Sequence, residues 1–295
     1  MSKVAYKWHN KITPWLFVFP TIVGLIIFRC IPIVSAFYLS FTDWNLLSKV
    51  HWIGLENYAE LFSDPSFWRI ILNTFQFSLV FVALSMVAGL ALAVLINTKC
   101  IGISAIRAII YLPVVTSSVA VGIVWNWMLG PTYGIINNII SAIGLKPPYW
   151  LADSHYALTT VSVVQMWKMS GYYMILFLAG LQNIPTEVIE SAYCDGATAR
   201  KTFFAITLPM LKPIVFFVLT VAIIDSFKNF ELIYAMTKGG PGISSTTLVY
   251  DVYLNAFQYY RVGFACAVSY VLLLFVGLMT LLNFWIRRRY AQPLD

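Results

Sequence analysis

The chain has 295 residues, 60% of them hydrophobic and only 11% charged, with a formal net charge of +7. A soluble domain carries roughly 25% charged and about 45–50% apolar residues. The shortage of charge, with a mean hydropathy of +0.79, excludes a soluble enzyme, a disordered chain and a nucleic-acid binder.

Six stretches are apolar over the roughly 20 residues that one span requires: 14–39, 70–96, 108–129, 156–181, 213–236 and 262–286. Each is continuously apolar and lacks the alternation of barrel strands, so the sequence predicts an all-α polytopic membrane bundle of about six transmembrane helices, one membrane domain over 1–295. In the first stretch Arg29 lies beside Pro32, where a helix kink is expected. Lys3, Lys7 and Lys11 precede it as in a signal peptide. The apolar run is too long for one and no small-x-small cleavage site follows, which predicts an uncleaved anchor. The second, third and sixth stretches carry no charge.

With six spans, one side of the membrane holds Lys3, Lys7, Lys11, Lys99, Arg107, Arg200, Lys201, Lys212, Arg287, Arg288 and Arg289. The other holds Lys49, Arg69, Lys146, Lys238 and Arg261. The bias predicts a multi-pass protein with both termini cytoplasmic. The outer loops gather Trp44, Trp52, Tyr58, Trp68, Tyr133, Tyr149, Trp150, Tyr259 and Tyr260, as an aromatic belt does. Cys30, Cys100, Cys194 and Cys266 are far apart and form no metal-ligand or disulfide spacing.

Between the fourth and fifth spans, residues 184–213 are too polar to cross a bilayer and too apolar to stand free. Thr186 reads as an N-cap, with Glu187 and Glu190 in the first turn, where the helix dipole favours acids. Asp195-Gly196 reads as a turn. A second short helix is expected from Ala199 to Thr207, ended by Pro209. Such a helix–turn–helix should dock on a cytoplasmic partner, or else lie on lipid as an amphipathic hairpin.

The string Glu190-Ser191-Ala192, Asp195-Gly196-Ala197, Phe203, Ile206, Leu208-Pro209 and Pro213 resembles the EAA loop of ABC importer permeases. Ser191 stands where Ala is usual, a small-for-small change, and Cys194 where an aliphatic residue is common. The resemblance continues through Gly54-Leu55-Glu56-Asn57-Tyr58, Asp64-Pro65, Asn73-Thr74, Leu112-Pro113, Trp125, Gly134 and Asn137. Thr237-Lys238-Gly239-Gly240-Pro241 with Thr246-Thr247-Leu248 is similar to the carbohydrate branch, that of maltose-, glycerol-phosphate-, lactose- and raffinose-type permeases. The resemblance implies a coupling helix in which Glu187, Glu190, Ala192, Asp195, Gly196, Ala197, Leu208 and Pro209 meet a cytoplasmic ATPase. It also implies a second permease subunit, forming a heterodimer, two ATPase subunits that bind ATP and Mg, an extracytoplasmic solute-binding protein, a sugar substrate, and the cytoplasmic membrane of a bacterium or archaeon.

Charge inside a span costs about 2.5–3.5 kcal/mol on insertion scales and tends to face cavities or partners. The fifth stretch carries Asp225, Ser226, Lys228, Asn229 and Glu231, and positions 225, 228 and 229 are expected to share one helical face by the i, i+3, i+4 rule. The fourth carries Lys168, which could serve a cavity, snorkel or meet the partner permease, followed by Met169, Ser170, Tyr172 and Tyr173. Sugar sites combine aromatic walls with a few placed polar groups. By resemblance, Met169, Tyr172, Asp225, Ser226 and Asn229 align with substrate-contacting positions of the maltose permease, and Ser170 and Lys228 complete the candidate path. Asp225 and Lys228 depart from an uncharged pattern, which permits a modified or charged sugar. The competing reading is an Asp225–Lys228 intrahelical pair that touches no ligand.

No GxxxxGK loop is present, so no ATP site or other cofactor is expected in this chain. His9, His51 and His155 form no ligand pair, so neither a metal nor a catalytic residue is expected, and the permease is read as non-catalytic. An ion-coupled secondary transporter or channel is the alternative. It predicts inverted repeats or broken helices near midplane, neither of which is evident in the sequence, and it leaves residues 190–213 unexplained.

Overall fold

The computed structural model describes residues 15–98 and 100–290. Lys3, Lys7, His9, Lys11, Pro14 and Lys99, which enter the orientation, anchor and ligand-pair arguments, lie outside the described residues. In chain order the helices are α1 (Trp15–Leu39), α2 (Glu56–Ser63), α3 (Pro65–Ile96), α4 (Ile103–Val115), α5 (Ser118–Met128), α6 (Ile135–Ala142), α7 (Ala157–Gln182), α8 (Thr186–Cys194), α9 (Ala199–Met210), α10 (Lys212–Phe227), α11 (Glu231–Met236), α12 (Leu248–Tyr253) and α13 (Val262–Tyr290). The architecture is an all-α membrane helix bundle, and α1, α3 and α13 are each long and apolar enough to cross a membrane. Helix α7, at about 39 Å for 26 residues, has the length, but Gln165, Lys168 and the residues beside them leave it less apolar.

Two expected spans are not single rods. The third is broken: α4 ends at Val115, Thr116 and Ser117 are extended (ψ 149° and 129°), and α5 leaves at 94° to α4. Pro113 contributes, because it cannot donate to the preceding turn. The fifth ends as α10 at Phe227, with Lys228 as C-cap, and resumes as α11 at Glu231. The single helical face expected for positions 225, 228 and 229 therefore does not form. Upstream, α9 meets α10 at 67° across Leu211. Arg29 sits in a π-turn at Ile26–Cys30 just before Pro32, within a helix that continues unbroken from Trp15 to Leu39.

The chain divides into two compact units. The first comprises, among the described residues, 15–63 and 252–270. In it a Thr42–Trp52 bridge closes the loop after α1. The buried Asn57 carboxamide donates to the Ser40 and Thr42 carbonyls at 2.9 and 2.8 Å. The start of α13 lies against the same loop, with Gly263 N donating to Trp44 O at 3.1 Å.

The second unit comprises residues 64–251 and 271–295, and α3 with α7 forms its principal helix pair. Small residues set the distances, as in membrane helix packing generally. A Cβ on Gly89 of α3 would lie 2.7 Å from Tyr173 Cβ of α7, and one on Gly122 of α5 would lie 2.6 Å from Ala235 Cβ of α11. The loop after α11 is tied to α3 by Asn73, whose Nδ2 donates to Ile243 O (2.8 Å) and Thr246 O (3.1 Å), and by Thr74 Oγ1, which accepts from Leu248 N (2.9 Å).

Asn73→Ala leaves two carbonyls without their donor, at about 1–3 kcal/mol for an unsatisfied buried group. The expected outcome is a lower melting temperature in detergent and faster proteolysis within residues 237–248, read by a thermal ramp and mass mapping of the nicked chain.

Candidate functional site

Helix α8 starts one residue earlier than expected, since its cap was expected at Thr186. Pro185, at φ −58° and ψ 133°, holds the N-cap position, so Thr186 is already helical and makes no capping bond. Glu187 stays in the first turn, where the dipole favours it. Ala192 is buried at 6% exposure, while Glu187, Glu190 and Tyr193 are exposed. The helix ends in a Schellman motif. Ala197 N donates to Ala192 O at 2.9 Å and Gly196 N to Tyr193 O at 3.0 Å, with Gly196 left-handed at φ +78°. A Cβ on Gly196 would meet nothing within 4 Å, so handedness and not crowding selects glycine there.

The return arm is longer than expected, because α9 runs through Pro209 to Met210. A π-turn at Phe203–Thr207, closed by Leu208 N donating to Phe203 O, opens the helical ladder one turn ahead of the proline, which itself can donate no backbone bond. Leu208 and Pro209 are half-buried. Between this hairpin and the ends of α3 and α7 lies a cavity of about 500 Å³ lined by Val94, Asn97, Leu181, Ile189, Tyr193 and Thr207 among others.

The second set of candidate residues lies where α3, α7 and α10 meet. Tyr173 OH donates to Asp225 Oδ2 at 3.1 Å, and the Tyr172 ring packs edge-on against Tyr173 with centroids 5.5 Å apart. Ser226 Oγ is 2.6 Å from Ser78 Oγ and 2.6 Å from Ile223 O. Asp225 therefore pairs with a phenol, and no intrahelical ion pair with Lys228 forms. Lys228 is exposed at the end of α10. Asn229 is only 8% exposed, and its Nδ2 has no hydrogen-bond partner.

The structure thus brings Tyr173 to Asp225 and Ser78 to Ser226, while Tyr172 joins the group only through its ring contact with its sequence neighbour Tyr173. Ser170 Oγ bonds its own helix at Trp167 O, and Met169 is half-buried without a polar contact. Tyr173 and Ser78 are partners that the sequence does not single out. Tyr173 stood beside the aligned Tyr172, whereas Ser78 is one serine in a charge-free span and carries no signal.

Residues 85–292 match the family described as the binding-protein-dependent transport system inner membrane component. The chain is 37% identical over 289 residues to the probable ABC transporter permease protein YesP of Bacillus subtilis, covering 96% of this chain and 93% of that one. It is 33% identical over 263 residues to the trehalose/maltose transport system permease protein MalF of Thermococcus litoralis, covering 89% and 87%. It superposes with a TM-score of 0.85, at 25% identity and covering 96% and 97%, on a chain from the crystal structure of a bacterial alginate ABC transporter in complex with alginate pentasaccharide-bound periplasmic protein.

Gly196→Ala should strain the hairpin tip by about 1–2 kcal/mol, the cost of left-handed backbone for an L-residue. Gly196→Asn should strain it less. Hydrogen exchange at residues 192–198 should quicken for alanine, and less for asparagine.

Proposed function

Because the chain belongs to the binding-protein-dependent transport system inner membrane component family and is a permease subunit of an ABC importer for sugars, we propose that its sugar passes along α7 and the α10–α11 break while the α8–α9 hairpin couples that passage to ATP hydrolysis elsewhere. The observation that carries this reading is Asn229. A buried carboxamide donor without a partner is costly in the resting protein, and a sugar hydroxyl is an acceptor of the right chemistry. It sits beside Lys228 where the helix ladder is interrupted, and backbone irregularity at membrane depth is tolerated where it lines a cavity.

Tyr172 offers an aromatic face, and the Tyr173–Asp225 bond holds the neighbouring carboxylate in one orientation. Met169, Ser170 and Ser226 complete the wall, and Lys228 is an exposed ammonium that suits a modified or charged sugar. The chain performs no chemistry in this scheme. ATP and Mg are held by two cytoplasmic ATPase subunits, which meet Glu187, Glu190 and the Asp195–Ala197 turn, while the buried Ala192 seats the helix from behind and Leu208 and Pro209 brace the return arm. A second, different permease completes the pore. An extracytoplasmic solute-binding protein delivers the sugar, and both termini face the cytoplasm. Broken spans also occur in ion-coupled transporters; family membership, not the breaks, decides between the readings.

The test is uptake into proteoliposomes holding both permeases, the ATPases and ATP, with the binding protein outside. Asn229→Ala removes a hydrogen bond of about 1–1.5 kcal/mol and should raise the apparent KM for sugar about tenfold with the complex assembled. Tyr172→Ala should do the same. Unchanged uptake by both variants rules out this path. Gly196→Ala should lower the ratio of sugar imported to ATP hydrolysed, and an unaltered ratio rules out the coupling role.

A further inference from the structure

Lys168 lies in the middle of α7, 5% exposed. Its Nζ donates to Val114 O at 3.1 Å. That carbonyl is one of the acceptors stranded when α4 stops, since the last four carbonyls of a helix have no partner within it. Thr116 Oγ1 satisfies its neighbour, Pro113 O, at 2.6 Å. A lysine is the appropriate donor because the C-terminal end of a helix carries partial negative charge. One turn along α7, Gly171 lets the two backbones touch: a Cβ there would lie 2.4 Å from Ile110 O and 2.9 Å from Tyr111 Cα.

The far side of the break leads to the path. Helix α5 packs along α11, and Asn126 Nδ2 donates to Met236 O at 2.9 Å. Helix α11, which Glu231 opens, also packs directly against α7. The helix that carries Lys168 thereby touches both broken spans, through the end of α4 and along α11.

We propose that Lys168 is a positioning residue that caps the severed end of α4 and, through α5 and α11, holds the Lys228–Phe230 link in the geometry that places Asn229. It touches no sugar. The inference rests on the reading that this link lines the path, and its structural arm can fail without that reading failing.

The experiment uses the assembled importer and three variants, Lys168→Met, Lys168→Gln and Lys168→Arg. Hydrogen exchange is read at residues 115–118 and 228–231, and ATP hydrolysis with and without the binding protein. Lys168→Met should quicken exchange about tenfold at both links, the equivalent of about 1.4 kcal/mol, with α3 unchanged, and should diminish stimulation by the binding protein. Lys168→Arg, which keeps a cationic donor, should restore both readouts. Faster exchange at 115–118 alone overturns the proposal, since capping would then be local. Faster exchange throughout α3 and α7 also overturns it, since the lysine would then only support the fold. Failure of Lys168→Arg to rescue has the same consequence. If Lys168→Met does not assemble, Lys168→Gln is judged by the same outcomes.

Discussion

A lipid interior supplies no water to hydrogen-bond a stray carbonyl or amide, so each interruption of a spanning helix has to be answered by the protein itself. The second unit is organised around such answers. Where α4 stops, Lys168 and Thr116 take its terminal carbonyls. Where α11 stops, Asn126 takes one from below. Beyond it, Asn73 and Thr74 of α3 hold the loop that follows. The polar side chains scattered through apolar helices are therefore connectors between backbone segments. Their scarcity in composition is matched by the number of partners each one serves.

Against that arrangement, Asn229 is the exception that carries meaning. Six buried side-chain polar atoms among the described residues lack a partner, and Asn229 Nδ2 is the one that lies at the break between α10 and α11. The neighbouring Asp225 and Ser226 are held by Tyr173 and Ser78 from two other helices. A permease needs a site firm enough to present hydroxyl-binding groups and interrupted enough to change shape. Three helices meeting beside the break that ends one of them provide both.

The bundle was legible because apolar length is written locally: α1, α3 and α13 follow the expected runs within a few residues. The α8–α9 hairpin was legible because its turn depends on Asp195-Gly196 and its resemblance on a spaced string. The breaks at Thr116–Ser117 and Lys228–Phe230 were not, since an apolar run reads the same whether straight or bent. What meets the carbonyls freed at a break is a partner far along the chain, such as Lys168 for Val114, 54 positions away. The Ser78–Ser226 pair, 148 positions apart, was hidden for the same reason. Thr186 illustrates a smaller limit. Two adjacent residues competed for one cap, and Pro185, with its fixed φ, took it.

The tip of the α8–α9 hairpin has a stereochemical consequence. Gly196 lies in open space with a positive φ, so the position rejects L-side chains for their mirror sense alone. A D-alanine installed there by chemical ligation would favour the native turn and, by narrowing the conformations open to the unfolded chain, stiffen it. The same methyl group on the opposite face of one carbon would thus separate the two demands that glycine meets at once, bending the chain and leaving the outer surface bare.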